Sequence, residues 1–405
     1  MREVPGQLAR EAAKGASGAA TAFAGLVAAA VAMGIGRFAF TPILPMMQDD
    51  SGVSVAAGGW LASANYLGYL LGAFSAIGMR TPPATVIRRG LIAVGVATLA
   101  MGLQDIFAIW LILRLLAGIA NAWVIIFAFA WCLERLAPLR RPILDSLVFA
   151  GVGAGIAVAG GLCIVLMQAG MTSGQAWVVL GGLALVLSVA IWPAFESAIG
   201  APSPGTDGAE ATTLKWNSER LRLVLCFGAS GFGYIIPATF LPVMAKQAIH
   251  DPLIFGWSWP IFGAAALGST LSATVFLKFI GHRRLWILSC VVMALGVALP
   301  VFRPGIAATM IAALCVGGTF MVITMAAMQE AREEAGPHAK KLMAAMTSAF
   351  ALGQIAGPIS VSTMVGDDGD FSAALLAACA LLLVSAYALS RRPAGVLRTQ
   401  KGKNR

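Results

Sequence analysis

The sequence has few charged residues and few of the side chains from which enzyme active sites are usually built. Only 11% of its 405 residues are charged, and it has three histidines and four tyrosines. A soluble domain has about 25% charged residues. The chain is also 59% apolar, whereas single soluble cores stop growing at about 250–300 residues. We therefore expect a bilayer as its solvent, which excludes a cytosolic enzyme, a nucleic-acid-binding domain and a disordered chain.

Signatures of catalysis and of cofactor binding are missing as well. His250, His282 and His338 fall in predicted loops, and no cluster of His, Cys and Asp has the spacing of a metal site. There is no GxxxxGK[ST] phosphate-binding loop, so ATP is not expected to drive the protein directly. The six cysteines include no CxxC pair, and we interpret them as small apolar packing residues. We expect neither a metal nor a cofactor.

What the sequence does have is long apolar runs. A membrane-spanning helix needs about 20 mostly apolar residues, whereas the strands of an outer-membrane barrel alternate over about ten. Twelve runs have the length and composition of a helix. They are residues 18–44, 56–79, 87–104, 106–131, 143–168, 174–193, 221–245, 255–280, 284–302, 304–329, 342–366 and 370–390. This pattern predicts an all-α membrane protein with twelve transmembrane helices.

The basic residues are divided unequally between alternate loops. Of the 28 Lys and Arg residues, 24 fall in the loops and tails of one side, and only Lys246 and Arg303 fall in those of the other. The positive-inside rule therefore predicts a multi-pass protein of a bacterial inner membrane with both termini in the cytoplasm. The net charge of +10 is then a topology signal, and we expect no nucleic-acid partner.

The chain contains an internal duplication. Seven identities occur within 27 ungapped positions when residue n is laid over residue n+197. They are Gly34/Gly231, Gly36/Gly233, Leu44/Leu241, Pro45/Pro242, Met47/Met244, Gly59/Gly256 and Trp60/Trp257. Six helices per half predict a parallel repeat about an axis along the membrane normal. We predict an N-terminal six-helix bundle in residues 1–193, a cytoplasmic linker at 194–220, and a second six-helix bundle with a basic cytoplasmic tail in residues 221–405.

Three segments carry a resemblance to a known family. They are GIGRFAFTPILPMMQ at 34–48, GGWLASANYLGYLLGA at 58–73 and RLLAGIANA at 114–122. With the six-plus-six pattern, they resemble the major facilitator superfamily of secondary transporters, and within it the YbfB/YjiJ-type group. The resemblance spans the chain. It implies two pseudo-symmetric bundles around a cavity lined by helices 1, 4, 7 and 10, and it implies no particular substrate.

One pattern of that superfamily is absent. The loop between helices 2 and 3 reads GMRTPPATVIRRG and lacks the usual aspartate. Asp145, at the start of helix 5, could replace that acid by contacting Arg88 or Arg89. We therefore predict a gating or coupling role for Asp145, and we add Asp105, in the loop before helix 4, as a second candidate for coupling.

Two arginines fall inside predicted spans. A charge in the hydrocarbon costs about 2.5–3.5 kcal/mol, and no Asp or Glu lies mid-membrane to pair with Arg37 or Arg114. Guanidinium groups facing a cavity would bind an anion, because their planar fork matches a carboxylate or a phosphate. Two structural alternatives remain open. Arg37 could extend to the head groups, and Arg114 could donate to helix 1 carbonyls and hold the first bundle together.

Smaller polar groups complete the predicted substrate site. Asn121 shares a helix face with Arg114, and Asn65 lies in helix 2. Tyr234 falls where Arg37 falls in the repeat, and Gln354 lies in helix 11. For each of these residues, ordinary helix packing is the alternative.

These observations predict a secondary transporter that moves a small organic anion or polar metabolite by alternating access. Its partners would be that small molecule and the lipid bilayer, and we expect a monomer. Coupling could be anion exchange, or proton co-transport through Asp105, Asp145 or the substrate itself. One alternative is the efflux of lipophilic drugs or toxic compounds, which would depend little on the arginines. A second is a receptor or membrane scaffold that transports nothing.

Overall fold

The computed structural model of the chain describes residues 4–77, 79–195, 216–249, 251–365 and 370–391, and its long elements are all helices. Helix α1 comprises Val4–Ala29, a π-helical segment Ala30–Ile35 and, after a turn, Phe40–Asp50. The other long helices are α2 (Val55–Ile77), α3 (Pro83–Ala100), α4 (Phe107–Leu136), α5 (Pro142–Gln168), α6 (Ser173–Ala190), α7 (Ser218–Ala248), α8 (Ser258–Phe279), α9 (His282–Phe302), α10 (Ile306–Ala335), α11 (Ala339–Met364) and α12 (Ser372–Ser390). The expected all-helical fold is confirmed.

Most of these helices can cross a membrane. Among the described residues, ten helices are long and apolar enough to do so, and α2 and α8 complete the set of twelve. Large apolar side chains are exposed on the outside of the bundle, including Val186, Leu295 and Val384 at 66%, 65% and 62%. Extensive apolar exposure of this kind is typical of a surface that contacts lipid or another apolar partner. The chain is a multi-pass membrane protein.

Some helices extend beyond the ends predicted for them. Helix α7 begins at Ser218 rather than at residue 221, and α10 continues from the predicted end at 329 to Ala335. Polar residues such as Glu330 and Arg332 end the apolar run, but the backbone hydrogen bonds of a helix continue through them. Most of the predicted linker (196–215) and most of the basic tail (392–405) lie outside the described residues, and the bundle boundaries stay predictions.

Helix α1 is not the continuous helix predicted at 18–44. The amide of Gly36 donates to Val31 O at 2.9 Å, and that of Phe38 donates to Met33 O at 2.9 Å, which is the five-residue spacing of a π-helix. Residues 36–39 then form a turn. Thr41 N donates to Phe38 O at 3.2 Å, so it does not reach the carbonyl of Arg37. The break therefore exposes backbone carbonyls that another group has to satisfy.

The two halves contact each other most extensively through three pairs of helices. Helix α5 packs against α8, α2 packs against α11, and the last part of α1 packs against α7.

Glycine permits a close approach of two helices within the first half. A methyl group on Gly118 of α4 would overlap the carbonyl oxygen of Asn65 in α2. These two helices are thus held at a separation that brings Arg114 and Asn65 together.

The central helices are closed at one end of the molecule. We call the end at which α1 begins and α12 ends the terminal end, and the end at which α1 stops at Asp50 the distal end. Residues 34–47 of α1 and 233–245 of α7 are all buried. Nearer to the terminal end, Met33 and Phe232 are partly exposed. The distal half of this helix pair is therefore sealed, whereas the terminal half has accessible side chains.

Candidate functional site

Arg37 lies in the turn that interrupts α1, and only 2% of it is exposed. Its guanidinium carbon is 4.5 Å from the ring centre of Tyr66, 4.9 Å from that of Tyr69 and 5.3 Å from that of Phe38. Its Nε and Nη2 atoms have no hydrogen-bond partner among the described residues. A side chain buried in this way does not extend to a head group. It presents hydrogen-bond donors that lack an acceptor.

Arg114 uses its donors differently. Its Nη1 donates to Gly36 O at 3.3 Å, its Nη2 donates to Arg37 O at 3.2 Å, and its Nε approaches Leu61 O at 3.5 Å. The guanidinium also lies 4.7 Å from the ring centre of Phe40. Two of the three acceptors are the carbonyls in the turn of α1. Arg114 therefore holds the turn that carries Arg37, as the structural alternative proposed.

Two buried asparagines lie beside this turn. The side-chain amide of Asn65 donates to Arg114 O at 3.0 Å, while its Oδ1 has no partner in the part of the chain that the structure describes. Neither polar atom of the Asn121 side chain has a partner there. A Cβ added to Gly36 would lie 2.7 Å from Asn121 Oδ1, so Asn121 packs against the turn. The structure therefore brings Arg37, Arg114, Asn65 and Asn121 together.

Tyr234 and Gln354 form the corresponding site in the second half. The Gln354 side-chain amide donates to the hydroxyl of Tyr234. The Tyr234 ring stacks against Phe320, at 5.4 Å and 6° between planes, and against Phe350, at 5.5 Å and 13°. The position equivalent to Arg37 in the second half therefore holds a phenol that bonds to a glutamine and packs between two rings.

A seam between α1 and α7 extends from this site to the distal end, and sequence reasoning missed it. Thr41 donates to Ala238 O at 2.8 Å, and Lys246 forms an ion pair with Asp49. In both pairs the residue numbers differ by 197, the offset of the duplication. Residues at equivalent positions meet where the repeat axis passes between two helices. The offset was thus the signal that could have identified these contacts.

Tyr66 is a further residue that the sequence did not single out. Its hydroxyl lies 2.9 Å from Thr239 Oγ1 of α7, and its ring packs on the guanidinium of Arg37. Tyr66 therefore links the arginine of the first half to the second half. Its position on the buried face of α2, beside the predicted Asn65, was the available signal.

The two predicted coupling acids lie away from this centre. Asp105 is exposed in the loop before α4, at the distal end. Asp145 lies at the start of α5, and its Oδ1 is buried without a hydrogen-bond partner among the described residues. Arg88 donates to Trp192 O, at 3.0 Å from Nη2, and packs on the Trp192 ring. The structure does not bring Asp145 and Arg88 together as an ion pair.

Ion pairs do occur at the terminal end of the second half, where glutamates of α7 and α10 pair with arginines. Arg283 forms ion pairs with Glu219 of α7 and, at 3.1 Å, with Glu330 of α10, and Glu219 also pairs with Arg222. Arg283 Nε donates to Leu389 O of α12 at 2.7 Å. This network joins four helices of one half, and so it stabilises that half without locking it to the other. No group of three or more metal-ligating side chains occurs in the described residues.

Comparison with known proteins agrees with this architecture. A family model described as "uncharacterised MFS-type transporter YbfB" matches residues 29–390. The uncharacterised MFS-type transporter YceJ of Bacillus subtilis (strain 168) is 38% identical over 94 residues, which are 23% of this chain and 24% of that protein. The chain thus matches about a quarter of the length of that curated relative.

Solved structures show the same fold. A crystal structure of the nucleoside transporter NupG is similar, with a TM-score of 0.69 and 16% identity, over 92% of this chain and 98% of that one. A crystal structure of a point mutant of the same transporter has a TM-score of 0.69 and 14% identity, over 91% and 99% of the two chains. At such identities the likeness establishes the fold alone.

Proposed function

The chain belongs to the family of MFS-type transporters described by YbfB, and from that premise we propose that it carries a small organic anion across a bacterial inner membrane. The family and the fold are those of membrane transporters rather than of enzymes. The observation that carries the proposal is the buried Arg37, whose Nε and Nη2 lack an acceptor among the described residues. Removing such a charge from water without a partner costs roughly 2.5–3.5 kcal/mol on insertion scales. An anionic substrate would offset that cost.

The surrounding residues have distinct proposed roles. Arg37 is the anion-binding group, and Tyr234 with Gln354 is a polar contact from the opposite half. Arg114 is a positioning residue, because its donors are occupied by backbone carbonyls. Asn65 is also a positioning residue, because its side-chain amide donates to the backbone carbonyl of Arg114.

Asn121 has a different proposed role from Asn65. Both of its polar atoms lack a partner in the described segments, and the side chain lies directly behind Gly36. We assign it to the substrate or to a bridging water, since a buried amide without partners costs about 1–3 kcal/mol.

The uneven burial of α1 and α7 supports a mechanism of alternating access. The distal halves are sealed by the seam, and side chains nearer to the terminal end are accessible. The distribution of basic residues favours a cytoplasmic location for the terminal end. We infer that this conformation is closed to the outside and that the substrate reaches Arg37 from the cytoplasm. Opening of the distal end requires the seam to separate.

Two hypotheses for the coupling of transport remain, anion exchange and proton co-transport. Asp105 and Asp145 both lie near the ends of the helices, away from Arg37, so neither would exchange a proton directly with a bound anion. Exchange of one anion for another needs no such acid. Counterflow in proteoliposomes, with and without an imposed pH gradient, separates the two: exchange proceeds without the gradient, and proton co-transport follows it.

A thermal-shift experiment tests the anion site. Purified protein is heated with small carboxylates, and a ligand that binds the folded state raises the melting temperature by mass action. We expect stabilisation of the wild type and of the Arg303→Ala control, whose arginine is exposed. The stabilisation should be lost in Arg37→Ala. Equal stabilisation of all three proteins would overturn the proposal, as would no stabilisation by any anion.

A further inference from the structure

We infer that the anion is an aromatic monocarboxylate, an inference that rests on the proposed function of Arg37. Two features of the site lead to it. One is the number and arrangement of free donors, which fits a single carboxylate. The other is a series of aromatic rings that begins at Phe38, beside Arg37, and continues through the core of the second half.

The buried donors of Arg37 that lack a partner among the described residues, Nε and Nη2, lie along one edge of the guanidinium. Nε–H and one Nη2–H point in the same direction there, so this edge pairs with both oxygens of one carboxylate. The other cations of the region are already occupied. Arg114 donates to carbonyls, and Lys246 pairs with Asp49 and donates to Pro45 O at 3.0 Å. Neither Arg114 nor Lys246 therefore offers unoccupied donors to a second carboxylate.

The rings form a continuous series. Phe38, 5.3 Å from the guanidinium carbon of Arg37, lies 6.1 Å from Trp259, whose ring stacks 4.7 Å from Phe262. Phe262 lies 5.6 Å from Phe320, and from there the stack continues through Tyr234 to Phe350. Stacked rings offer an apolar, polarisable surface that favours other rings in offset or edge contact, by about 0.5–1.5 kcal/mol beyond the area buried.

Each feature has a residue that is only partly buried. Tyr69, which packs on Arg37, and Phe350, at the end of the series, are only partly buried. Trp259 is fully buried, and its Nε1 has no acceptor in the described segments. We expect a ligand that places its carboxylate on this edge of Arg37 to direct its ring toward the partly buried Phe350. Aliphatic acids would satisfy the arginine but gain less from the rings, and neutral rings would leave the arginine unpaired.

The test uses the purified full chain and four probes that vary charge and ring independently. Benzoate has both features, cyclohexanecarboxylate has the charge without aromaticity, benzyl alcohol has the ring without the charge, and phthalate adds a second carboxylate. Dissociation constants come from quenching of intrinsic tryptophan fluorescence and from thermal shift. We expect benzoate to bind at least about tenfold more tightly than each of the other three.

The outcomes separate this inference from the proposed function. Equal binding of benzoate and cyclohexanecarboxylate would overturn the aromatic class and leave the anion site intact. Equal binding of benzyl alcohol and benzoate would remove the role of Arg37, and with it the proposed function. Tighter binding of phthalate would replace the monocarboxylate with a dicarboxylate.

A variant pair then locates the ring contact. Phe350→Leu should lower the preference for benzoate over cyclohexanecarboxylate at least threefold. Phe302→Leu, at a position 71% exposed, should leave that preference unchanged. If Phe350→Leu does not fold, Phe320→Leu serves the same purpose, and the wild-type ratio already decides the inference without either variant. An unchanged ratio in the folded variant would overturn the assignment of the ring stack.

Discussion

Asp49 and Lys246 occupy equivalent positions in the two halves of the chain, and they form an ion pair with each other. Thr41 and Ala238 are a second pair of equivalent residues in contact, and they lie farther from the distal end. A pair of equivalent residues can meet only close to the repeat axis. The Asp49–Lys246 pair therefore marks the distal end of the seam between α1 and α7, which separates in the mechanism proposed above.

This pair is expected to bias the distal end toward closure. Asp49→Lys or Lys246→Asp places like charges together, and the swapped double variant restores an opposite pair at equivalent positions. Because Asp49 is exposed, with 69% of its side chain accessible, the coupling should be modest, at about 0.2–1 kcal/mol. The measurement is the rate at which a membrane-impermeant maleimide labels a cysteine introduced as Ala238→Cys.

Each single reversal should raise the labelling rate about two- to fivefold, and the double swap should return it to the original value. Protein without Ala238→Cys provides the background from the six natural cysteines. If the double swap labels as fast as the single variants, the pair does not close the distal end.

The two buried arginines should respond unequally to neutralisation. Arg114→Gln removes three backbone contacts from a charged donor, so it should lower the free energy of unfolding by about 3 kcal/mol or more. Arg37→Gln removes a buried charge that lacks an acceptor among the described residues and contacts only rings, so it should lower stability by clearly less than Arg114→Gln does. Melting temperatures of the purified proteins measure both effects. Equal losses in the two variants would show that Arg37 is a structural residue as well.

The close approach of α2 and α4 should not tolerate a methyl group. Gly118→Ala would overlap the carbonyl of Asn65, and overpacking costs about 1–3 kcal/mol. Gly182→Ala in α6 is the matched control, since no atom lies within 4 Å of the added carbon. We expect a lower melting temperature for the first variant only. Because the displaced helices carry Asn65 and Arg114, benzoate binding should weaken in parallel.

Glu219, the buried acid in the ion-pair network around Arg283, should be essential for the stability of the second half. Glu219 is 5% exposed and pairs with Arg283 and Arg222. Removing one partner of a buried ion pair costs about 3–5 kcal/mol, so Glu219→Gln should lower the melting temperature strongly. Glu333→Gln is the control, because its side chain is 64% exposed. A small effect in both variants would mean that Glu330 alone compensates Arg283.

Sequence reasoning selected the positions of the site but not their contacts. Arg114 was chosen as a substrate ligand, with bonds to helix 1 carbonyls as the alternative, and its donors contact the carbonyls of Gly36 and Arg37. Residues 30–35 are ordinary apolar residues, so they do not themselves reveal the π-helical segment that they form. Tyr66 was overlooked because a tyrosine on an apolar helix face has the same pattern whether it packs or contacts an arginine.

The sequence by itself determined the twelve helices and the duplication and predicted the topology, because hydrophobic length, repeated residues and loop charge are local properties that survive without knowledge of contacts. It also placed two arginines in apolar runs, while the tertiary structure showed that both are buried. Only the tertiary structure decided which arginine remains free. That choice depends on where the carbonyls of a broken α1 lie relative to α4, and on the meeting of equivalent residues across the repeat axis. Both are distances between segments far apart in the chain, which no local pattern fixes.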